Sequence, residues 1–294
     1  MQPAEKPVFP PLSDSEHELL WQHIEKQFDC NLNGWHTLFL NDLPLGMMEN
    51  HWHNLLLQDW QGRIRTEGLQ TFLNTDSWLA MADALEHMAF QWHKTGILNG
   101  WRNEKFDALD ATGNALFSLE RSVFRPLGLQ SAAVHINGLV KYNGQWCFWI
   151  GKRSPYKAVD PNKLDNLVGG GISSGESVKN AMQREGAEEA GLPACFLKPL
   201  ECQSKRLSLR PVSRGLHREV LYIFDIVLPE DFHPENQDGE VAKFNIFSIS
   251  ELTRAMYEGR LMNDALLATM DAYNRYGLIN SSHPLGLWLK RTAL

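Results

Sequence analysis

"GGGISSGESVKNAMQREGAEEAGL", residues 169–192, is the stretch on which the reading of this chain turns. A glycine-rich turn is expected to run straight into a helix that carries Glu185, Glu188 and Glu189 together. Carboxylates on adjacent turns repel one another unless something positive sits between them. Residues 177–190 hold no proline, and Gly191 followed by Pro193 is a sound helix ending. At about 100° per residue, Val178, Ala181 and Met182 form an apolar stripe. Extended by a turn, that stripe arrives at the glutamates, so carboxylates replace the expected core residues. Lys179, Gln183 and Arg184 take the solvent side. A merely solvated acidic face would lie opposite Val178 and Met182.

An oxygen-rich cluster of this kind suits Mg²⁺, which binds a few carboxylates together with waters and substrate phosphates. Such an ion would also relieve the repulsion. Arg184 lies one turn before Glu188 and can orient a carboxylate. Gly169, Gly170 and Gly171 allow a close backbone approach that side chains would forbid. Backbone N–H groups near the helix start favour phosphate oxygens. An ATP-binding P-loop is excluded, because G-K-[S/T] is missing.

The stretch resembles the Nudix box, G-x5-E-x7-R-E-U-x-E-E-x-G-U, in which U is apolar. Gly170, Glu176, Arg184, Glu185, Glu188, Glu189 and Gly191 fill its fixed positions, and Leu192 fills the last apolar one. Gly186 departs from it, standing where the family has a larger apolar residue, a change expected to loosen the packing beneath the helix. The resemblance implies a mixed sheet flanked by helices and hydrolysis of a diphosphate joined to another group. It implies in-line attack by water, with Mg²⁺ or Mn²⁺ held by Glu185, Glu188 and Glu189. Glu176 is then a weaker supporting ligand, and Arg184 belongs to the catalytic set. Glu240, in NQDGEVAKF after the last expected strand, is a candidate further ligand or general base, with an exposed loop acid as the equal alternative.

The resemblance extends past the box. VHINGLV, WIGKRS, PNKLDNLVGGGISSGES and DGEVAKF are similar to the Nudix branch related to the domain beside fungal thiamine pyrophosphokinase. GILNGWRNEKFDAL and LERSVFRPLGL resemble the accessory N-terminal domain of that branch. This implies hydrolysis of thiamine diphosphate derivatives, notably oxidised ones, to the monophosphate. Trp101 and Arg102, with Glu104, are candidates for one wall of the ring slot, and His135 and Asn137 for its domain-junction side. Trp101 as a core residue is the competing reading. Lys152 and Arg153 are candidate phosphate ligands or else an exposed basic pair, and Asp165 and Asn166 can brace the glycine turn. ADP-ribose, a dinucleotide or an oxidised nucleotide remains the alternative substrate, and a non-catalytic ligand-sensing module the alternative class.

The remaining sequence sets the frame. The chain has 294 residues, 43% hydrophobic and 21% charged, which is enough for two domains with full cores. A net charge of −7 argues against nucleic acid or an anionic membrane as the main partner; a small diphosphate is the partner that the resemblance implies. Cys30, Cys147, Cys195 and Cys202 lack paired spacing and read as reduced thiols. The polar, Pro-rich start has no apolar signal core and no run is long enough to span a bilayer, so a soluble, cytoplasmic protein is expected. Nothing in the sequence fixes an oligomeric state.

The fold class is α/β (α+β): a mixed-sheet α/β/α sandwich over residues 130–294, preceded by a smaller α+β domain over 1–129 that supplies substrate selectivity. Helices are expected at 13–29, capped by Ser13 and Glu16, at 77–95 with Leu79, Ala82, Leu85, Met88 and Trp92 inward, and at 250–275. Residues 35–73 read as short strands and turns, and Asn143–Gly144 as a hairpin turn. His51-Trp52-His53 reads as packing rather than a metal site. Arg206, Arg210, Arg214 and Arg218 read as a solvated turn between two strands, since Pro211 and Gly215 break any helix.

Overall fold

The structure is a computed structural model describing residues 6–157 and 159–294. The Pro-rich start therefore begins in residues outside the described ones. Ser13 caps α1 (Asp14–Gln27): its hydroxyl accepts from the Glu16 N–H, and the Glu16 carboxylate accepts from the Ser13 N–H. Two donors that a helix start leaves unpaired are satisfied in this way.

Next come β1 (His36–Leu40), β2 (Leu43–Met48), α2 (Asn50–Asp59), β3 (Arg63–Glu67) and β4 (Gln70–Asn74). The strands pair in the order β2-β1-β4-β3. Sequence reading expected only strands and turns here. Helix α2 escaped it because Glu49, at the cap, makes no side-chain capping bond, so the usual start signal is missing. Helix α3 (Trp78–Lys94) begins on the Ser77 cap and buries Met81, Leu85, Met88, Ala89 and Trp92. Leu79, expected inward, is 72% exposed; it lies about 200° around the helix from Met81. The hairpin of β5 (Lys105–Leu109) and β6 (Ala115–Glu120) leads into α4 (Phe124–Leu127).

The large sheet starts with β7 (Ser131–Tyr142) and β8 (Gln145–Arg153). Asn143 and Gly144 join them with φ of 49° and 78°, the paired positive values that a two-residue type I′ turn requires. Two short strands follow, β9 (Leu164–Asp165) and β10 (Val168–Gly171), then helices α5 (Val178–Ala190) and α6 (Ala194–Leu197). The chain continues through β11 (Cys202–Val212), β12 (Gly215–Leu228) and β13 (Val241–Phe247). It ends with α7 (Ile249–Tyr257), α8 (Asn263–Arg275) and α9 (Pro284–Arg291). The sheet order is β11-β12-β7-β8-β13, with β10 on β7 and β9 on β8. Only β12 and β7 run parallel in it among the described residues, so the sheet is mixed, as expected.

Two expectations change here. The helix placed at 250–275 is really α7 and α8, separated where Gly259 takes φ 71°. Strand β13 follows Glu240, which therefore precedes the last strand rather than trailing it.

Helices cover both faces of the sheet. Ala181 and Met182 of α5 pack on Val134 and Ile136 on one side. On the other, Leu252 and Met256 of α7 and Tyr273 of α8 share a core with Leu139, Phe148 and Leu221. Leu20 and Ile24 of α1 belong to that second core, although α1 precedes the smaller sheet in the chain. Among the described residues no helix is long and apolar enough to cross a membrane. Ile24 is fully buried, so Ile24→Ala is expected to lower the unfolding free energy by about 2–5 kcal/mol in urea titration. A change confined to residues of the smaller sheet in hydrogen exchange would show that α1 does not belong to the large core.

Candidate active site

Helix α5 starts on Ser177, whose side chain accepts from the Asn180 N–H, and ends at Gly191 with φ 62°. Its glutamate face lies against β10. The three glycines are not a turn: they form an extended strand in register with β7, Gly169 opposite His135, Gly170 opposite Val134 and Gly171 opposite Ala133. What they provide is proximity. A Cβ on Gly170 would sit 2.0 Å from the Glu185 carboxyl carbon, and one on Gly171 would sit 2.9 Å from the Phe106 ring. Gly186, the departure from the box, faces Leu197 of α6, whose methyl lies 2.6 Å from where a Cβ would be. Leu197 therefore occupies the space of the missing side chain, and the expected loosening is filled.

Above β10 lies a cavity of about 490 Å³, within the range of small-molecule sites. Glu185, Glu188, Asp238 and Glu240 line one end of it. Arg102, Arg121, Arg125 and Arg210 line another part, together with Glu104, Glu219 and Asp264. Glu189 is buried beneath the acidic end and accepts the Gly169 N–H at 2.8 Å. Burial pushes the Glu189 carboxyl up to about 8 against the pull of Lys157, whose Nζ lies 3.6 Å away. Burial also raises Glu185, again against a nearby cation, Arg184. Lys157 pairs with Glu240 as well. Carboxylate oxygens of Glu189, Asp238 and Glu240 lie within 4.8 Å of one another.

Two side-chain cations thus separate the acids. Arg184 is partly exposed but turned onto the acids: it donates to Glu185 at 2.8 Å, to Glu188 at 3.2 Å and to the Gly171 carbonyl at 3.3 Å. Its other bonds go to Glu176 at 2.9 and 2.8 Å, and this pairing, with Glu185 behind it, holds the guanidinium firmly charged. Glu176 is therefore the anchor of Arg184 and does not line the cavity, contrary to its expected place among the ligands. Hard carboxylate donors with raised proton affinity, crowded at one wall, are a donor set that fits Mg²⁺ or Mn²⁺.

Several other candidates lie elsewhere. Trp101 stacks on His93, with ring centroids 5.1 Å apart, donates to Asn103 and packs on the smaller core, outside the cavity lining. Arg102 does reach the cavity. Asn137 is buried below it, donating to Asp225 and accepting from Asn166 at 3.0 Å each. Asn166 also donates to Thr269 and bonds His135, so this polar belt braces the strand of glycines from underneath. Lys152 faces a separate groove with Lys163 and Arg260, because neighbours along β8 point to opposite faces. Arg153 points inward and is buried, bonding Asp165 at 2.5 Å and the carbonyls of Val159 and Asp160. It lines the cavity with its donors already engaged.

His53 is buried, bonded to Thr71 and stacked on His36, which fits the packing reading. The arginine series is not a solvated turn. Arg206 and Arg210 are buried on β11, paired with Asp271 at 2.7 Å and Asp264 at 2.9 Å. Burial opposes ionisation of Asp264, yet Arg210 and His217 hold its carboxyl well below the usual range. Arg218 reaches the Leu45 carbonyl, and Arg214 is half-buried at the β11–β12 turn. Sequence reading missed Lys157, Asp238, Arg121 and Arg125. The D-G-E and R-x3-R spacings were the available signals, but neither is specific.

A glutamate-bearing helix lying on a glycine strand of a mixed sheet defines a class of α/β domain with a carboxylate-lined site. Residues 131–266 match the NUDIX domain family model, and this part of the chain is a Nudix domain. The chain is similar to Nudix hydrolase 24, chloroplastic, of Arabidopsis thaliana, 35% identical over 214 residues that cover 68% of this chain and 56% of that protein. It is also similar to Nudix hydrolase 20, chloroplastic, of the same plant, 32% identical over 77% of this chain and 56% of that protein. The chain thus spans little more than half the length of these relatives. A crystal structure of a Deinococcus radiodurans protein is 21% identical, covers 57% of this chain and 96% of that one, and has a TM-score of 0.42.

Gly170→Ala is expected to displace the Glu185 carboxylate. Mn²⁺ affinity, read by paramagnetic resonance of the free ion, should then fall at least about tenfold. Wild-type affinity in this variant would take Glu185 out of the ligand set.

Proposed function

We propose that this protein is a metal-dependent hydrolase that cleaves a diphosphate joined to an organic group. The observation that carries the reading is the wall formed by Glu185, Glu188, Asp238 and Glu240, facing one cavity with Glu189 beneath them. Glu185, Glu188 and Glu189 would hold Mg²⁺ or Mn²⁺, with Glu240 as a further donor. The ion, when bound, screens phosphate charge and lowers the pKa of water at phosphorus. Arg184 keeps Glu185 and Glu188 aimed at the cavity. The half-exposed Glu240 carboxylate, held by Lys157, can accept the proton of attacking water. The Gly170 and Gly171 backbone leaves room for phosphate beside these acids.

For the organic half, we propose a thiamine diphosphate derivative, supported by the resemblance of the segments flanking the box. Phe106, with Arg121 4.9 Å from its ring centroid, supplies the aromatic face that Trp101 does not. An arginine-lined wall repels a cationic thiazolium, so it favours oxidised rings that have lost that charge. Cytoplasmic localisation and selectivity residing in residues 1–129 are part of the same proposal; Arg102, Phe106, Arg121 and Arg125 in the cavity wall support the second.

The test is a screen with Mg²⁺ or Mn²⁺ over thiamine diphosphate, its oxidised forms, ADP-ribose, NADH and 8-oxo-dGDP, with products followed by phosphorus NMR. Turnover of an oxidised thiamine diphosphate to the monophosphate is expected. Ligand-induced stabilisation without turnover of any compound would favour the sensing alternative.

Glu188→Gln and Glu189→Gln are each expected to lower turnover at least about a hundredfold, since metal-borne charge stabilisation is worth several kcal/mol. Mg²⁺ should raise the melting temperature of the wild type but not of the Glu185→Gln/Glu189→Gln protein, because binding to the folded state alone stabilises it. Equal shifts in both proteins would mean that the ion binds elsewhere.

A further inference from the structure

We infer that Arg102, Arg121, Arg125 and Arg214 form a phosphate subsite opening off the carboxylate-lined cavity. These four side chains line a side pocket of about 90 Å³. Arg102, Phe106, Arg121 and Arg125 border both spaces, so the pocket is continuous with the cavity. Organic ligands occupy about 300 Å³ or more, whereas this pocket has room for one small anion.

The charge balance points the same way. Arg121 bonds Glu104 at 2.5 Å, and Arg125 donates to His217 Nδ1 at 3.2 Å. Among the described residues, no carboxylate lies within 4.0 Å of the guanidinium nitrogens of Arg102, Arg125 or Arg214. Glu219, on the pocket wall, accepts instead from Ser131. Burial lowers the pKa of Arg214, and Arg125, Arg121 and Arg102 lower it further by facing it. Like charges gathered in a half-buried pocket are costly unless an anion joins them. Arginine forks match phosphate oxygens in geometry and charge.

The gathering is built into the backbone. Arg102 comes from the loop before β5, Arg121 from the turn into α4, Arg125 from α4 itself, and Arg214 from the β11–β12 turn. Gly215, next to Arg214, has φ 122°, and a Cβ there would lie 2.1 Å from the Arg125 carbonyl oxygen. That close approach presses the turn onto α4 and fixes Arg214 beside Arg125.

Assigning the phosphate to a substrate rests on the hydrolase reading; the existence of the subsite does not. Two sources share the chemistry: the terminal phosphate of a diphosphate monoester, or a phosphate elsewhere on a diphosphate diester. The first experiment titrates inorganic phosphate into the metal-free full chain by calorimetry. Arg102→Gln/Arg214→Gln should weaken binding at least about tenfold, and Lys152→Gln, which removes a cation outside the cavity, less than about twofold. The double variant should melt no lower than the wild type, because repulsion is relieved. Equal phosphate affinity in the wild type and the folded double variant overturns the subsite.

The second experiment compares kcat/KM on three diphosphates. A loss confined to a monoester assigns the subsite to the terminal phosphate. A loss confined to a diester that carries an extra phosphate assigns it to that group. Equal losses on these and on a diester with no further phosphate overturn its role in substrate binding. Arginine-dependent phosphate binding in a protein that turns over no diphosphate would sink the hydrolase reading and leave the subsite standing. Turnover with arginine-independent phosphate binding would do the reverse.

Discussion

The close contact between α5 and β10 is the constraint on which the site depends. Glu185 reaches the cavity across Gly170 because no side chain stands there. Glu189 is held below by the Gly169 amide. Both carboxylates lose water and gain only partial compensation from protein groups, which is why burial raises their proton affinity. Arg184 and Lys157 supply the charge that keeps the helix face intact. The glycine strand is braced in turn by the buried amides of Asn137 and Asn166, which hydrogen-bond one another and leave that layer well paired. Helix, strand and polar belt form one unit, and displacing any layer moves the carboxylates.

Where chemistry is local, the sequence announced it. Ser13 and Glu16 satisfy one helix start within four residues, and Asn143–Gly144 meets the backbone demand of a tight hairpin by itself. The acidic face of α5 was legible for the same reason, since one helical turn relates Glu185 to Glu189. Where the decisive partner is remote, reading from sequence went astray. Three successive glycines signal a turn, yet here they stay extended to admit a carboxylate from another element. Arg206 and Arg210 looked solvated because Asp271 and Asp264 lie 65 and 54 residues away. Trp101 offered an aromatic face beside Arg102, but nothing local revealed that His93 and Phe90 would cover it.

Charges of both signs line the cavity. Glu185, Glu188, Asp238 and Glu240 stand beside Lys157 and Arg184, and Arg102, Arg121, Arg125 and Arg210 stand among Glu104, Glu219 and Asp264. A divalent cation among the acids would move the whole cavity toward positive potential. Metal loading and anion capture would then be coupled through the field, with no change of shape.

The position of α1 bears on how the chain reaches its fold. The Leu12 amide donates to the Leu278 carbonyl, and the Asn280 amide to His17, 263 residues earlier. A loop spanning 263 residues must close before the second bond exists, and loop closure costs entropy that only late contacts repay. During synthesis, Leu20 and Ile24 cannot meet Met256 or Tyr273 until the chain through α8 has emerged. Helix α1 is therefore made long before the surfaces that bury it. Until then Leu20 and Ile24 lack the partners that bury them in the folded chain.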